Sequence, residues 1–199
     1  MKDAFKFNPF SGVFEEDLDD VLVPIFNFEK LLLKIKTKDS LAIEFSGKKG
    51  RGKTTHLIAL QQKVPEFPIF LLENKVSVNS VLEDDSEVVF IDGIAHLSFS
   101  ERHKLFKEKK VVIYTTHFSK KIECMLAKKK LHTIYFKGIS IEILENIVKN
   151  RLKVAEREKG SYERVFTQRE ISLLIKKFGD DYRGIINHLY EKFQWKSQH

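Results

Sequence analysis

Short apolar runs alternate with stretches of helical spacing through the middle of this chain. Five such runs predict β-strands, at 41–45, 68–72, 88–92, 111–115 and 133–136. Parallel strands need crossover connections, and strands covered on both faces are apolar along their whole length. The pattern therefore predicts an α/β fold, with a parallel sheet between two layers of helices.

The pattern changes after Gly138, where only helical spacing follows. Residues 141–158 form a long amphipathic segment, a capping box at 167–170 begins a second helix that ends at Gly179, and a third covers 181–193. A short arm and one helix, at 26–36, precede the first strand. We expect an arm and helix over 1–37, an α/β domain over 38–137 and a small all-α lid over 138–199.

A glycine-rich loop follows the first predicted strand. It fits the Walker A pattern of P-loop proteins and consists of Gly47, Lys48, Lys49, Gly50, Arg51, Gly52, Lys53 and Thr54. Its backbone amides and the start of the next helix favour phosphate binding, with Lys53 on the β- and γ-phosphates. Thr54 is predicted to bind Mg²⁺, while Thr55 either packs or contacts the α-phosphate. The sequence predicts ATP with Mg²⁺ as the ligands and a P-loop three-layer sandwich as the fold.

The third predicted strand ends in Asp92, as in a Walker B motif, and this carboxylate is predicted to bind Mg²⁺. Many P-loop ATPases have a glutamate next, which polarises the attacking water, but this chain has Gly93. Glu73, after the second strand, and His96 are the candidate bases. We expect hydrolysis to be slow or to depend on a partner.

Polar residues follow the fourth strand, where a parallel sheet presents its ligand-binding edge. Thr116 and His117 are candidates for contact with the γ-phosphate or the attacking water. Arg183, early in the last predicted helix, is a candidate donor to the γ-phosphate. These residues complete the predicted catalytic set.

Together the two Walker motifs, the polar tip at Thr116 and the Gly-Asp-x-x-Arg segment around Arg183 resemble the AAA+ ATPases over residues 38–195. The resemblance implies a sheet in the order 5-1-4-3-2, a sensor 1 role for Thr116 and a sensor 2 role for Arg183. It also implies an adenine site beside the N-terminal arm, near Val13 and Phe14. Two departures are Gly93 and the lack of an arginine between Thr116 and Phe136.

Positive charge is concentrated in one region. The 199 residues carry a net charge of +7, yet residues 102–137 alone contain eleven Lys or Arg and two Glu. Such a region is typical of a surface that binds nucleic acid, an acidic protein or anionic lipid, or else of a solvated lysine-rich face. The single cysteine, Cys124, is expected to be a buried helix residue, and no run is apolar enough to span a membrane, so we expect a cytoplasmic protein.

Three functions fit these features. The first is an ATPase of AAA+ type that binds Mg-ATP, hydrolyses it slowly or on activation, and switches a protein partner. The second is a nucleotide-gated module that binds DNA or protein with little hydrolysis. The third, a small-molecule kinase, is disfavoured because no arginine-rich substrate lid is present. The sequence leaves open the partner and the oligomeric state.

Overall fold

The computed structural model describes residues 4–13, 15–37, 39–72, 78–158 and 166–195. The chain divides into two compact units. The α/β unit consists of Pro24–Lys48 and Gly52–Phe136, and the helical unit consists of Met1–Val23, Lys49–Arg51 and Lys137–His199. Three residues of the glycine loop thus belong with the helical unit.

A five-stranded, all-parallel sheet forms the centre of the α/β unit. Its strands are β1 (Leu41–Ser46), β2 (Ile69–Leu71), β3 (Val88–Asp92), β4 (Val111–Thr116) and β5 (Lys130–Tyr135). Their order is β2-β3-β4-β1-β5, which confirms the predicted topology. β1 and β4 are buried at every residue, since they lie inside the sheet, whereas the edge strands β2 and β5 are partly exposed.

Helices cover both faces of this sheet. They are α2 (Phe28–Lys36), α3 (Lys53–Gln61), α4 (Val78–Glu83), α5 (Phe99–Glu108) and α6 (Lys121–Leu126), numbered after a short α1 (Leu18–Val21) in the helical unit. α2 and α3 pack on one face through Ile35 and Leu57, and α5 and α6 pack on the other through Phe106 and Cys124. The predicted three-layer sandwich is confirmed, and Cys124 is buried as expected.

The helical unit contains α1 together with α7 (Ile141–Ala155), α8 (Gln168–Phe178) and α9 (Tyr182–Trp195). α7 ends three residues earlier than the sequence predicts, because the chain there pairs with the N-terminal arm through a bridge between Phe5 and Glu156. Phe5 and Phe10 are buried in the core of this unit. The arm is therefore part of the helical unit, whereas the helix expected with it, α2, belongs to the α/β unit.

A buried carboxylate lies in the middle of the sheet. Glu44 of β1 has no exposed surface and accepts hydrogen bonds from Tyr114 Oη (3.0 Å), the Lys120 amide (2.6 Å) and Thr133 Oγ1 (3.2 Å). Burial raises the pKa of Tyr114 far above its ordinary value, so this phenol keeps its proton and remains a donor. The network links β1 to β4, β5 and the start of α6.

Candidate nucleotide site

The glycine loop begins where β1 ends. The Gly47 amide donates to the Thr116 carbonyl (3.2 Å), so the loop leaves the sheet beside the end of β4. A Cβ on Gly47 would lie 2.6 Å from the backbone oxygen of Phe136, which excludes any larger residue without a shift of the chain. Gly52 has φ +80° and precedes the first residue of α3, where the left-handed conformation favours glycine. Both glycines are thus required by local geometry.

Lys53 is the first residue of α3 and is buried despite its charge. Its Nζ donates to the carbonyls of Gly47 and Lys48, at 2.7 Å each. These carbonyls place the ammonium group within the loop, close to the start of a helix, where anions are favoured. Phosphate oxygens are the natural exchange partners for such a donor, because a charge-assisted hydrogen bond to an anion is stronger than one to a neutral carbonyl.

Thr54 and Asp92 meet beside this lysine. Thr54 Oγ1 lies 3.0 Å from each carboxylate oxygen of Asp92, at the end of β3. Hydroxyl and carboxylate oxygens are ligands that suit Mg²⁺, which takes few protein ligands and completes its shell with phosphate oxygens and water. The donor set therefore fits a magnesium ion bound together with a triphosphate. Among the described residues no cluster of three or more His, Cys, Asp or Glu offers an all-protein metal site.

Thr115, which the sequence analysis did not select, also contacts Asp92. Its Oγ1 donates to Asp92 Oδ1 (2.6 Å) and accepts from the Gly93 amide (2.9 Å). This hydroxyl fixes the carboxylate from the β4 side. The signal in the sequence is the Thr-Thr pair at the end of β4. Successive side chains of a strand point to opposite sides of the sheet, so only one of the two threonines can lie on the side of Asp92.

The candidate γ-phosphate contacts Thr116 and His117 lie at the end of β4, directly after Thr115. Thr116 Oγ1 donates to the Phe118 carbonyl (2.8 Å) and accepts from the Phe118 amide (3.3 Å), an arrangement that caps the end of β4. His117 is exposed, and its Nδ1 donates to the Gly47 carbonyl (3.0 Å), the same oxygen that Lys53 contacts. The structure thus brings His117 to the phosphate loop and engages the Thr116 hydroxyl locally.

The backbone at the position after Asp92 favours glycine. Gly93 has φ +76°, and a Cβ there would lie 2.9 Å from His96 Cδ2. The glutamate found at this place in many P-loop ATPases would be strained in this backbone. His96 lies on a short 3₁₀ turn, Ile94–His96, and is exposed, while Glu73 lies outside the described residues.

The three loop residues of the helical unit lie beside the start of α9. Arg51 forms an ion pair with Asp180, and a Cβ on Gly50 (φ +80°) would lie 2.5 Å from Asp181 Oδ1. Asp181 in turn caps α9 by accepting from the Gly184 amide (3.1 Å). Arg183 Cβ is 3.7 Å from the same added Cβ on Gly50, which places the predicted sensor arginine next to this part of the loop.

The remaining loop residues differ in exposure. Lys48 and Lys49 are exposed, whereas Thr55 is partly buried in the first turn of α3. Exposed ammonium groups at the loop add to the attraction for phosphate without geometric constraint.

The basic region 102–137 is not one continuous charged surface. Arg102 forms a salt bridge with Glu123 (2.6 Å), and Lys109 and Lys129 are buried. Lys109 donates to the carbonyls of Asp84 and Ser86, and Lys129 donates to those of Lys109 (2.5 Å) and Lys110 (2.7 Å). Lys110 and Lys120 also pair with Glu87 and Glu123, so at least five of the eleven predicted cations contact other residues of the protein.

Burial lowers the pKa of Lys129 to about 8. Above that pH the unfolded chain binds more protons than the folded chain, so the stability of the wild type relative to Lys129→Met is expected to rise towards pH 10. The rise should reach about 1 kcal/mol per pH unit, less than the full value for a completely desolvated group. Urea unfolding of both proteins across this range measures it, and a difference that is independent of pH would contradict the assignment.

Within the described part of the chain, no helix has the length and apolar character needed to cross a bilayer.

Solved structures with the same fold include the replication initiator DnaA bound to AMPPCP and single-stranded DNA, with a TM-score of 0.56 and 15% identity. They also include Drosophila ORC bound to DNA, with a TM-score of 0.54 and 16% identity. The likeness covers 91% and 94% of this chain but 67% and 63% of those chains. No protein-family model matches the sequence, and no curated protein matches it. These likenesses show that the chain shares its fold with both structures, and its five-stranded parallel sheet has the strand order that the resemblance to the AAA+ ATPases implies.

Proposed function

We propose that this chain binds Mg-ATP at residues 47–54 and uses the nucleotide to switch a protein partner. The observation that carries the proposal is the meeting of Thr54 Oγ1 with both oxygens of Asp92, at 3.0 Å, next to the buried ammonium group of Lys53. An ammonium group and a hydroxyl at the start of α3, together with a carboxylate at the end of β3, fit a metal–triphosphate complex.

Each of these residues has a separate task. Lys53 exchanges its two carbonyl partners for phosphate oxygens, and the loop amides donate to the same phosphates. Thr54 and Asp92 would bind Mg²⁺, which neutralises charge on the phosphates when it is bound. Thr115 orients the Asp92 carboxylate through its 2.6 Å hydrogen bond. Arg183 is the proposed reader of the γ-phosphate.

Hydrolysis is proposed to be slow unless a partner assists. Gly93 provides no carboxylate to polarise water, and its φ of +76° disfavours any replacement that would. The hydrogen bond from His117 Nδ1 to the Gly47 carbonyl (3.0 Å) supports His117 as a further candidate for contact with the γ-phosphate or the attacking water. Glu73 and His96 stay candidate bases from the sequence.

A nucleotide-gated binding module is the second candidate function. Both structures cited above contain DNA, which favours nucleic acid as a ligand of the fold. In this chain, however, Arg102, Lys109 and Lys129 are engaged internally, which reduces the charge available to phosphates. The first candidate is therefore preferred, and the partner is proposed to be a protein.

Calorimetric titration with Mg-ATP tests nucleotide binding. The wild type should bind, and Lys53→Ala should bind roughly 10- to 100-fold more weakly, because a hydrogen bond to a charged group contributes about 1.5–3 kcal/mol. Lys104→Ala, which removes an exposed cation of α5, is the matched control and should leave the affinity unchanged. Failure of the wild type to bind, or equal loss in both variants, would overturn the proposal.

A further inference from the structure

Four large apolar side chains are exposed close together in the sequence around α6. Phe118 is 80% exposed, Ile122 68%, Met125 65% and Leu126 51%. Glu123 and Cys124 of the same helix point inward and are buried. Because residues three and four apart lie on one side of a helix, Ile122, Met125 and Leu126 share the outward face of α6.

Isolated exposed apolar residues are ordinary, but a contiguous group marks an interaction site. Burial of these side chains inside the unit is not an option, because α6 already packs its other face against the sheet through Cys124. Phe118 lies in the loop between β4 and α6, shortly before the first residue of the helix. We call these four residues the α6 face.

Lysines flank the α6 face. Lys121, Lys128 and Lys130 are exposed, and no ion pair or side-chain hydrogen bond involves them within the described ranges. They differ from Lys109 and Lys129, which are buried and bind backbone carbonyls. The positive charge available to a partner in this region thus borders an apolar centre.

We infer that the α6 face docks an amphipathic helix of another protein, with apolar residues at its centre and acidic residues at its edges. The apolar centre favours a protein over nucleic acid, since bases stack on aromatic rings and Ile122, Met125 and Leu126 carry none, which leaves Phe118 as the one ring of the α6 face. The lysine border selects an acidic partner by charge complementarity. Residues 15–21 of this chain are rich in Asp and Glu, but they are excluded as the occupant because their apolar residues Leu18 and Val21 are buried in the helical unit.

The α6 face includes no residue of the nucleotide site, so this inference does not rest on the proposed function. The face begins, however, one residue after His117, whose ring donates to the Gly47 carbonyl. A partner that binds Phe118 would therefore contact the residue next to His117, whose ring is hydrogen-bonded to the phosphate loop.

Fluorescence anisotropy with designed peptides tests the inference. The probe is a helical peptide of about 18 residues, or five turns, with leucines on one face and glutamates beside them. A peptide of the same composition in scrambled order and a peptide with lysine in place of glutamate are the comparisons. We expect the acidic amphipathic peptide to bind at least roughly tenfold more tightly than either, since both apolar burial and charge pairing contribute.

Two variants locate the binding. Ile122→Ser combined with Met125→Ser should weaken the acidic peptide at least roughly tenfold, because two exposed apolar contacts are lost. Leu33→Ser on α2, where the side chain is 67% exposed, is the matched control and should bind as the wild type does. Lys121→Glu combined with Lys128→Glu should reverse the preference between the acidic and basic peptides. All replaced residues are exposed, so the thermal unfolding midpoint should stay unchanged.

Several results would overturn the inference. They are no binding of the acidic peptide, equal binding to the wild type and the serine variant, or a preference for the scrambled peptide. Self-association of the chain that the serine variant abolishes would assign the face to a second copy. Oligothymidine binding that the same variant abolishes would assign it to nucleic acid.

Discussion

Replacement of Glu44 by alanine is expected to lower the free energy of unfolding by about 3–5 kcal/mol. The carboxylate is completely buried and accepts from Tyr114 Oη, the Lys120 amide and Thr133 Oγ1. Alanine would leave these three donors without their acceptor in an environment that excludes water. A buried donor without an acceptor has lost its hydrogen bonds to water without replacement, which lowers the free energy of unfolding.

Urea unfolding, followed by circular dichroism, measures this loss. Glu66→Ala, which removes an exposed glutamate from a loop of the same unit, is the control and should change the stability by no more than about 0.5 kcal/mol. Glu44→Gln keeps the volume and one acceptor oxygen and should fall between the two. If Glu44→Ala and Glu66→Ala were equally stable, the carboxylate would have no structural role.

Replacement of Asp92 by asparagine is expected to remove the contribution of Mg²⁺ to ATP binding. The amide keeps the shape of the side chain but loses the negative charge that the metal requires. In the wild type, ATP should bind roughly 10- to 100-fold more tightly with Mg²⁺ than with a chelator, and in the variant the two affinities should agree. Calorimetric titration under both conditions measures the difference.

Two further variants make this test specific. Asp39→Asn removes an exposed carboxylate that precedes β1 and should keep the full magnesium effect. Thr54→Ser keeps the hydroxyl that lies 3.0 Å from Asp92, and it should also keep the effect, whereas Thr54→Ala should reduce it. A magnesium effect that persists in Asp92→Asn would place the metal elsewhere.

The glycine after Asp92 connects the fold to the expected rate of hydrolysis. The sequence shows only that Gly93 stands where many P-loop ATPases have a glutamate. Whether a glutamate could occupy this position depends on the backbone conformation. The structure gives the residue φ +76° and places His96 Cδ2 within 2.9 Å of an added Cβ. Both features make the turn dependent on glycine, so a glutamate could not be restored there without strain.

Local patterns were sufficient for the elements of the sheet and the phosphate loop. β3 covers the predicted residues 88–92, and β1 and β4 each extend the predicted strand by one residue. This succeeds because buried strands are recognised by runs of apolar side chains, and the loop by glycines at fixed spacing, both of which are properties of neighbouring residues. The sequence also determined that Lys53 begins a helix after a strand, as the structure confirms.

Other features depend on residues far apart in the chain, and only the tertiary structure decided them. The choice between Thr115 and Thr116 as the contact of Asp92 depends on the register of β3 against β4, because adjacent residues of a strand point to opposite sides of the sheet and only one of them shares the side of Asp92. The short edge strand β5 begins at Lys130, three residues before its apolar run, because its first residues pair with β1. Charge counting likewise could not separate the buried Lys129 from the exposed Lys128.

The sequence by itself therefore determined the type of fold and the chemistry of the loop, since short-range patterns encode both. The tertiary structure decided which polar groups are buried and hydrogen-bonded inside the protein and which remain at its surface. Glu44 accepts hydrogen bonds from donors, and Lys129 donates to carbonyls, that sheet pairing and helix packing bring close. Lys121 and the α6 face remain exposed because the opposite side of the same helix is already buried.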